Sequence, residues 1–207
     1  AWQDLHLLSK PLAQEVAALQ SPLKLLAALN CDVCIVCETT GAIHANAGKP
    51  LSARPQLAAT DWPDFAASVN VMARVCADAG ITMVYHHHMG TVVQSADDID
   101  ALMGQTSPAT GLLLDTGHAW YAGADPYALA RSYAARIRHV HLKNVRATVL
   151  QAAGTRSTTS FLNAVKAGVF TVPGDSAGVL DTDRVLQPLA DAGYSGWMVI
   201  EAEQDPH

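Results

Sequence analysis

The sequence is short of charge, and of basic charge above all. Charged residues make up 15% of its 207 positions, and 13 Lys and Arg stand against 19 Asp and Glu. A nucleic-acid partner favours a basic face, so this acidic balance argues against one. No apolar run approaches the roughly 20 residues of a membrane span, and no secretory leader pattern opens the chain. We therefore expect a cytoplasmic protein with no membrane partner.

Two nucleotide-binding motifs are also missing. Neither G-x-G-x-x-G nor G-x-x-x-x-G-K-[ST] occurs, so a dinucleotide-binding Rossmann fold and a P-loop both lack their fingerprints. What the chain does have is apolar mass, since 50% of its residues are hydrophobic. That content and this length predict a single domain, residues 1–207, with one sizeable core.

Apolar segments predict strands that alternate with helices. The predicted strands are 31–37, 81–85, 111–114, 137–142 and 197–200. The predicted helices are 12–29, 63–79, 96–103, 126–135 and 183–192, and Ser95 is the expected N-cap of the third. Apolar strands that alternate with helices are typical of a parallel sheet under a helical layer. The sequence therefore predicts an α/β fold, either a (β/α)8 barrel or part of one.

Residues that can bind metals or carry protons follow every predicted strand. In chain order they are Glu38, His86 with His88, Asp115, His141 and Glu201. Barrel enzymes place their chemistry at the carboxyl ends of the strands, which all meet at one rim. His, Asp and Glu together suit Mn, Co, Fe or Zn better than Ca. This pattern predicts a site for one divalent transition metal.

Histidine spacing gives a more detailed expectation. His86 and His88 are two residues apart and can share one face of a strand, whereas His87 should point to the other. We therefore expect replacement of His87 to leave metal binding intact. His118 follows Asp115 by three residues, which can place one group on the metal and the other on a substrate hydroxyl.

The segment HVHLKN adds a second group of polar residues. His139 and His141 share a face, Lys143 continues that face, and Arg146 is close behind. A Lys beside a divalent ion should lose its proton more easily, because like charges disfavour the charged form. Glu203 lies two residues beyond the last strand-end Glu and can share its face.

Longer segments resemble one family. They read YHHHMGTVVQ, LLLDTGHAWYAG, RHVHLKNVR, SFLNAVKAGVFTVPGD and GWMVIEAEQDP. Their order and spacing are similar to those of the inosose dehydratases of inositol catabolism, which belong to the xylose isomerase-like TIM barrels. The resemblance implies that the chain is an incomplete barrel with strands four to eight, lacking the first three strands and the last helix. Two departures are Asn144, where the family has Asp, and SAGVLD after VPGD.

The resemblance also implies roles for the matching positions. The implied ligands of one Mn or Co ion are His86 (or His88), Asp115, His141 and Glu201. The implied substrate contacts are His118 and Arg146, and Glu203 is a further candidate as ligand or substrate contact. For catalysis the candidates are His88, Lys143 and Glu38. A His or Glu is favoured as base, and His118 is favoured as hydroxyl clamp or acid.

The implied reaction removes water from 2-keto-myo-inositol (scyllo-inosose), a small polyol ketone, to give a cyclic 1,2-diketone. It needs a base for the α proton and an acid for the leaving hydroxyl. A metal-dependent sugar isomerase or epimerase of the same superfamily is the alternative, and it would return the proton instead of releasing water. A metal-dependent nuclease would need a basic groove, which the charge balance disfavours. A homo-oligomer is a further expectation.

Overall fold

The computed structural model describes residues 2–152 and 158–204 of the chain. Six strands form the main sheet: β1 (Trp2–Leu5), β2 (Val33–Glu38), β3 (Thr82–His86), β4 (Thr110–Asp115), β5 (Ile137–Leu142) and β8 (Met198–Ile200). Two short strands, β6 (Asn144–Val145) and β7 (Phe170–Thr171), pair antiparallel beside it. The helices are α1 (Leu12–Ala28), α2 (Trp62–Asp78), α3 (Ala96–Gln105), α4 (Thr116–Ala122), α5 (Pro126–Tyr133), α6 (Ala147–Ala152), α7 (Phe161–Lys166) and α8 (Thr182–Asp191).

The main sheet is parallel throughout, in the order β1-β2-β3-β4-β5-β8. This confirms the predicted parallel sheet with alternating helices, the arrangement of a partial (β/α)8 barrel. The register pairs Leu5 with Glu38 and Asp115 with His141, so the strands' carboxyl ends meet at one edge. Side chains that follow different strands are thereby brought together.

The sequence predicts five strands, whereas the main sheet has six and the short strands β6 and β7 add two more. All five are present, but β1 precedes them and pairs in parallel with β2. Its four residues, Trp-Gln-Asp-Leu, contain no apolar run, so neither length nor composition distinguished them from a loop. The short helices α4, α6 and α7 also lie where the sequence predicts no helix.

Helices form at each of the five predicted segments. In α2, the stripe Phe65, Val69, Met72 and Cys76 is buried against the sheet. In α3, the predicted cap Ser95 forms a capping box, because its Oγ accepts the Asp98 N–H at 3.2 Å and Asp98 Oδ2 accepts the Ser95 N–H at 2.8 Å.

The two faces of the sheet differ in chemistry. Alternate residues such as Val36, Tyr85 and Leu114 enter the core under the helices. Alternation sends their neighbours to the opposite face, where His86 and Asp115 lie near the carboxyl edge. The fold therefore separates an apolar helix-facing layer from a polar layer on the inner face.

A second apolar cluster covers the carboxyl edge of the sheet. Its buried residues are Leu51, Met89, Tyr121, Val145, Leu150, Phe161, Ala164, Val165, Val169 and Phe170. Hydrogen bonds between two distant loops hold this cover in place: Ser160 Oγ donates to Asn46 O at 3.0 Å, and Leu51 N donates to Thr159 O at 3.1 Å. Among the helices within residues 2–152 and 158–204, none has the length and apolarity needed to cross a bilayer.

Candidate metal centre

The carboxylate of Asp115 lies at the centre of a polar cluster at the carboxyl edge. Its Oδ2 is 3.4 Å from His86 Nε2, 3.4 Å from His141 Nδ1 and 3.3 Å from Lys143 Nζ. Glu201 Oε2 is 2.8 Å from His141 Nδ1 and 3.2 Å from Lys143 Nζ. Of the four residues that the resemblance implies as metal ligands, Asp115, His141 and Glu201 have ligand atoms within 4.8 Å of one another. His86 adjoins this group through Asp115.

The local sequence Asp-Thr-Gly-His explains how Asp115 is held. Its Oδ1 accepts the backbone N–H of His118 at 2.8 Å and caps α4, which leaves Oδ2 for the cluster. The Thr116 hydroxyl donates to Lys143 O at 2.6 Å and accepts the Lys143 N–H at 2.9 Å. These bonds join the first turn of α4 to the end of β5.

Gly117 makes room for the aliphatic stem of Lys143. A Cβ at this position would lie 2.7 Å from Lys143 Cβ and 2.9 Å from both Cγ and Cδ. Only a residue without a side chain allows the stem to run so close to α4. The stem carries the ammonium into the cluster.

Lys143 is surrounded by acceptors although its side chain is 1% exposed. Its Nζ is 3.3 Å from His118 Nε2 and 3.2 Å from Glu203 Oε2, in addition to the Asp115 and Glu201 contacts. Burial lowers the pKa of Lys143, but the three carboxylates outweigh burial and raise it above its usual value. Without an ion, the carboxylates thus favour the charged form of Lys143. The expectation that Lys143 loses its proton more easily beside a bound divalent ion stays a prediction.

The electrostatic effect is mutual. Burial alone would raise the pKa of Asp115, but Lys143 and the neighbouring histidines hold it well below its usual range. The adjacent His141 ring lowers the pKa of Glu201 to about 2. Conversely, Asp115 and Glu201 overcome burial and raise the pKa of His141 to about 9. The carboxylates are thus ionised at neutral pH.

The donor set fits a divalent transition ion. His141 Nδ1 and Glu201 Oε2 are buried and 2.8 Å apart, yet neither makes an aligned hydrogen bond within the described residues. Two ligands that each bind one ion at about 2.0–2.2 Å lie about 3.0–3.5 Å apart, close to the 2.8–3.4 Å spacings here. A metal ligand must be deprotonated, so His141 gives up its proton when an ion binds. Three carboxylates and the Lys143 ammonium then leave two negative charges, which one divalent ion balances.

His86 and His88 occupy different places in the cluster. His86 Nε2 faces Asp115 Oδ2, whereas His88 groups with His118 and Glu203 as another possible ligand set. His88 Nδ1 lies 2.8 Å from Met89 O, so Nδ1 carries the proton and Nε2 keeps a free lone pair. Burial holds the pKa of His88 well below its usual value, so the ring is neutral at pH 7. This geometry favours His86 over His88 as the metal ligand.

Aromatic rings cover the cluster on the side of α7. The Phe161 ring lies 5.6 Å from the rings of both His88 and His118. The Phe170 ring lies 5.4 Å from that of His118 and 5.1 Å from Lys143 Nζ. Sequence reasoning assigned no role to either Phe, because an apolar residue that lines a site has the same local pattern as one in a core. Together they exclude water from the His118–Lys143 pair.

Two predicted site residues make other contacts. Both oxygens of the buried Glu38 accept backbone N–H groups, from Leu7 at 2.6 Å and Thr40 at 2.9 Å. Arg146 donates to Asp175 Oδ2, Thr171 Oγ1 and the carbonyls of Gly168 and Phe170. Their roles in catalysis and substrate binding stay predictions.

The two departures from the family pattern contact each other. Asn144 Oδ1 accepts the Leu180 N–H at 2.8 Å, and Asn144 Nδ2 donates to Leu180 O at 3.1 Å. A Cβ on Gly178 would lie 2.5 Å from the Asn144 amide. Residues 174–178 also match G-x-S-x-G, but Ser176 is exposed in a turn and is not flanked by strand and helix. The segment therefore packs on Asn144 and is not a nucleophile elbow.

The chain is similar in sequence to one family of barrel proteins and to several named relatives. The family model for the xylose isomerase-like TIM barrel matches residues 5–207. Over its full length the chain is 41% identical to an inosose dehydratase of Geobacillus thermodenitrificans and 40% identical to the rhizopine catabolism protein MocC of Rhizobium meliloti. It spans 69% and 62% of those two proteins.

Solved structures show the same fold. A crystal structure of the IolI protein with a bound zinc atom superposes with a TM-score of 0.65 at 12% identity, covering 93% of this chain and 61% of that one. The probable 3-DHS dehydratase AsbF of Bacillus anthracis superposes with a TM-score of 0.59 at 18% identity, covering 97% of this chain and 69% of that one. At these identities the similarity concerns the fold alone.

Proposed function

Since the chain belongs to the xylose isomerase-like TIM barrel family, and within it to the inosose dehydratases, we propose that it removes water from 2-keto-myo-inositol to give a cyclic 1,2-diketone. The observation that carries the proposal is the convergence of His86, Asp115, His141 and Glu201 next to a neutral His88 and a charged Lys143. A ketone whose neighbouring carbons carry hydroxyls needs these three elements: a divalent ion, a base and an acid.

The first step removes the proton on the carbon next to the ketone. His88 is the best-placed base, because the Met89 carbonyl fixes its Nδ1–H and leaves Nε2 able to accept a proton. Its ring centroid lies 3.9 Å from that of His118, so both rings can face one bound molecule. Glu38 is the weaker candidate, since backbone N–H groups engage both of its oxygens.

The second step expels the hydroxyl on the next carbon as water. The base holds one proton from the substrate, and the acid must give another to the departing oxygen. Lys143 is protonated and directed into the cluster, next to His118, so its ammonium can supply that proton or hold it through His118. The enol that remains rearranges to the diketone.

One divalent transition ion, Mn or Co, is the proposed cofactor. Bound by His86, Asp115, His141 and Glu201, it would polarise the ketone and stabilise the negative charge that develops on its oxygen. The low pKa values of Asp115 and Glu201 support this assignment, because both carboxylates are ready to bind a cation at neutral pH. Glu203 and His118 are the proposed contacts to substrate hydroxyls.

Product analysis tests the proposal. The protein is incubated with 2-keto-myo-inositol and Mn or Co, and the products are identified by mass spectrometry. We expect a product lighter by one water with the absorbance of a cyclic diketone. An isomer of unchanged mass would instead indicate an epimerase or isomerase and would overturn the assignment. A cytoplasmic location and a homo-oligomeric state remain proposals that localisation and sedimentation experiments can test.

A further inference from the structure

His87 lies on the opposite side of the sheet from the metal centre and still reaches it through the backbone. Its side chain is 0% exposed, and its Nε2 lies 3.3 Å from the backbone nitrogen of Asp115. The amide N–H is the donor, so Nε2 is unprotonated and the ring proton is on Nδ1. Asp115 is thus contacted from both faces of the sheet.

The position of this bond explains why a side chain is needed. The pairing of β3 with β4 ends at His86 and Leu113, because β3 stops there. Asp115 lies two residues further along β4, and its N–H donates to the imidazole. The His87 side chain therefore extends the contact between the two strands by one more hydrogen bond, at the residue that carries the central carboxylate.

The bond completes a set that fixes Asp115. On one side, Oδ1 accepts the His118 N–H at 2.8 Å, and on the other the backbone N–H donates to His87. Because Oδ1 and the backbone N–H of Asp115 are both held by hydrogen bonds, the carboxylate is not free to rotate. Its second oxygen, Oδ2, therefore faces His86 and His141. The position of Oδ2 then depends on His87, although His87 contacts none of the other proposed ligands through a hydrogen bond.

A buried His at position 87 is less favourable for stability than an apolar residue that only fills the space. Its Nδ1 has no hydrogen-bond partner within residues 2–152 and 158–204. A buried polar group without a partner is destabilising, and an apolar side chain of similar size would avoid this loss of stability. A neutral imidazole at this position is consistent with a need for the acceptor.

We propose that His87 is a positioning residue for the metal centre, acting through the backbone amide of Asp115. This inference rests on the proposed metal site and reverses the expectation from sequence that replacement of His87 leaves metal binding intact. Residues that orient metal ligands in this way typically contribute about 10–100-fold to metal affinity.

Two matched variants test the proposal. His87→Gln keeps an acceptor near the position of Nε2, whereas His87→Leu keeps the approximate bulk and removes the acceptor. We expect the dissociation constant for Mn or Co, measured by calorimetric titration, to rise about 10–100-fold in His87→Leu and less than about threefold in His87→Gln. Thermal melting of both variants without metal measures any general loss of stability.

A measurement on the unaltered protein avoids the risk that His87→Leu does not fold. With 15N-labelled histidine, NMR reports the tautomer of each ring, and the His87 signals are identified by their loss in His87→Gln. We expect a neutral His87 with the proton on Nδ1. A proton on Nε2, or metal binding that is equal in wild type and His87→Leu, would overturn the proposal. Wild-type protein that binds no metal, or binds it equally well as Asp115→Asn, would instead contradict the proposed site.

Discussion

Replacement of Gly117 by Ala tests whether Lys143 must lie where the structure places it. The added methyl would lie 2.7–2.9 Å from three carbons of the Lys143 stem, closer than carbon atoms pack. Lys143 is 2% exposed, and Thr116 holds its backbone with two hydrogen bonds, so neither side can easily move away. We expect the ammonium to shift within the cluster of carboxylates.

The magnitude follows from two opposing effects. An extra methyl in a closely packed site costs about 1–3 kcal/mol. Ala in place of Gly within a helix offsets about 1 kcal/mol of that loss. The net loss of about 0–2 kcal/mol corresponds to a Tm lower by up to about 8 °C for a chain of this size. Activity should fall further, because a displacement of about 1 Å at a reacting group can cost about 100-fold.

Gly104→Ala is the matched control. Gly104 lies in α3, and a Cβ there would have no neighbour within 4 Å. The same substitution should therefore raise stability by about 0.5–1 kcal/mol and leave kcat/KM unchanged. Thermal melting and steady-state kinetics on both variants give the comparison. If Gly117→Ala matched Gly104→Ala in both assays, the role assigned to the Lys143–α4 contact would be refuted.

Three further predictions concern the Ser95 cap of α3, the hydrogen bonds of Asp175, and the choice of catalytic base. Ser95→Ala removes the α3 capping box and should lower the free energy of unfolding by about 0.5–2 kcal/mol without changing kcat, as measured by urea unfolding and kinetics. The pKa of Asp175 is lowered to about 2 by hydrogen bonds from Thr171, the Ala177 N–H and Arg146, so its stabilising effect is complete above its unfolded pKa and is lost as pH falls toward 2. The Tm of wild type should therefore exceed that of Asp175→Asn at pH 6, and the difference should vanish near pH 2; a constant difference would contradict the assignment. His88→Gln should lower kcat by about 10²–10⁴-fold and Glu38→Gln by less than tenfold, and the reverse order in the kinetics would make Glu38 the base.

Sequence patterns were sufficient for most of the fold. The strands β2 to β5 and β8 follow from apolar runs, and α2 follows from its buried stripe. Strand β1 could not be predicted, because only pairing with β2 distinguishes Trp2–Leu5 from a loop. Strands β6 and β7 could not be predicted either, because each has only two residues. Each is a strand only through pairing with the other, and 24 residues separate them in the chain.

The site was predictable as a set of residues but not as a geometry. The residues around Asp115 follow from the rule that strand ends meet at one rim. The ion pairs of Lys143 with Glu201 and Glu203 did not follow, since these residues lie about 60 positions further along the chain. The contact of His87 with the Asp115 amide was also missed, because strand alternation describes which face a side chain takes and not what it binds there.

The metal content of the protein tests the central claim most directly. Protein and its Asp115→Asn variant are saturated with Mn or Co, dialysed, and analysed for bound metal by atomic emission, with circular dichroism as the check that both are folded. The charge balance of three carboxylates against Lys143 predicts one divalent ion per wild-type chain and a large loss in the variant. Equal metal content in the two proteins, or none in wild type, would contradict the account.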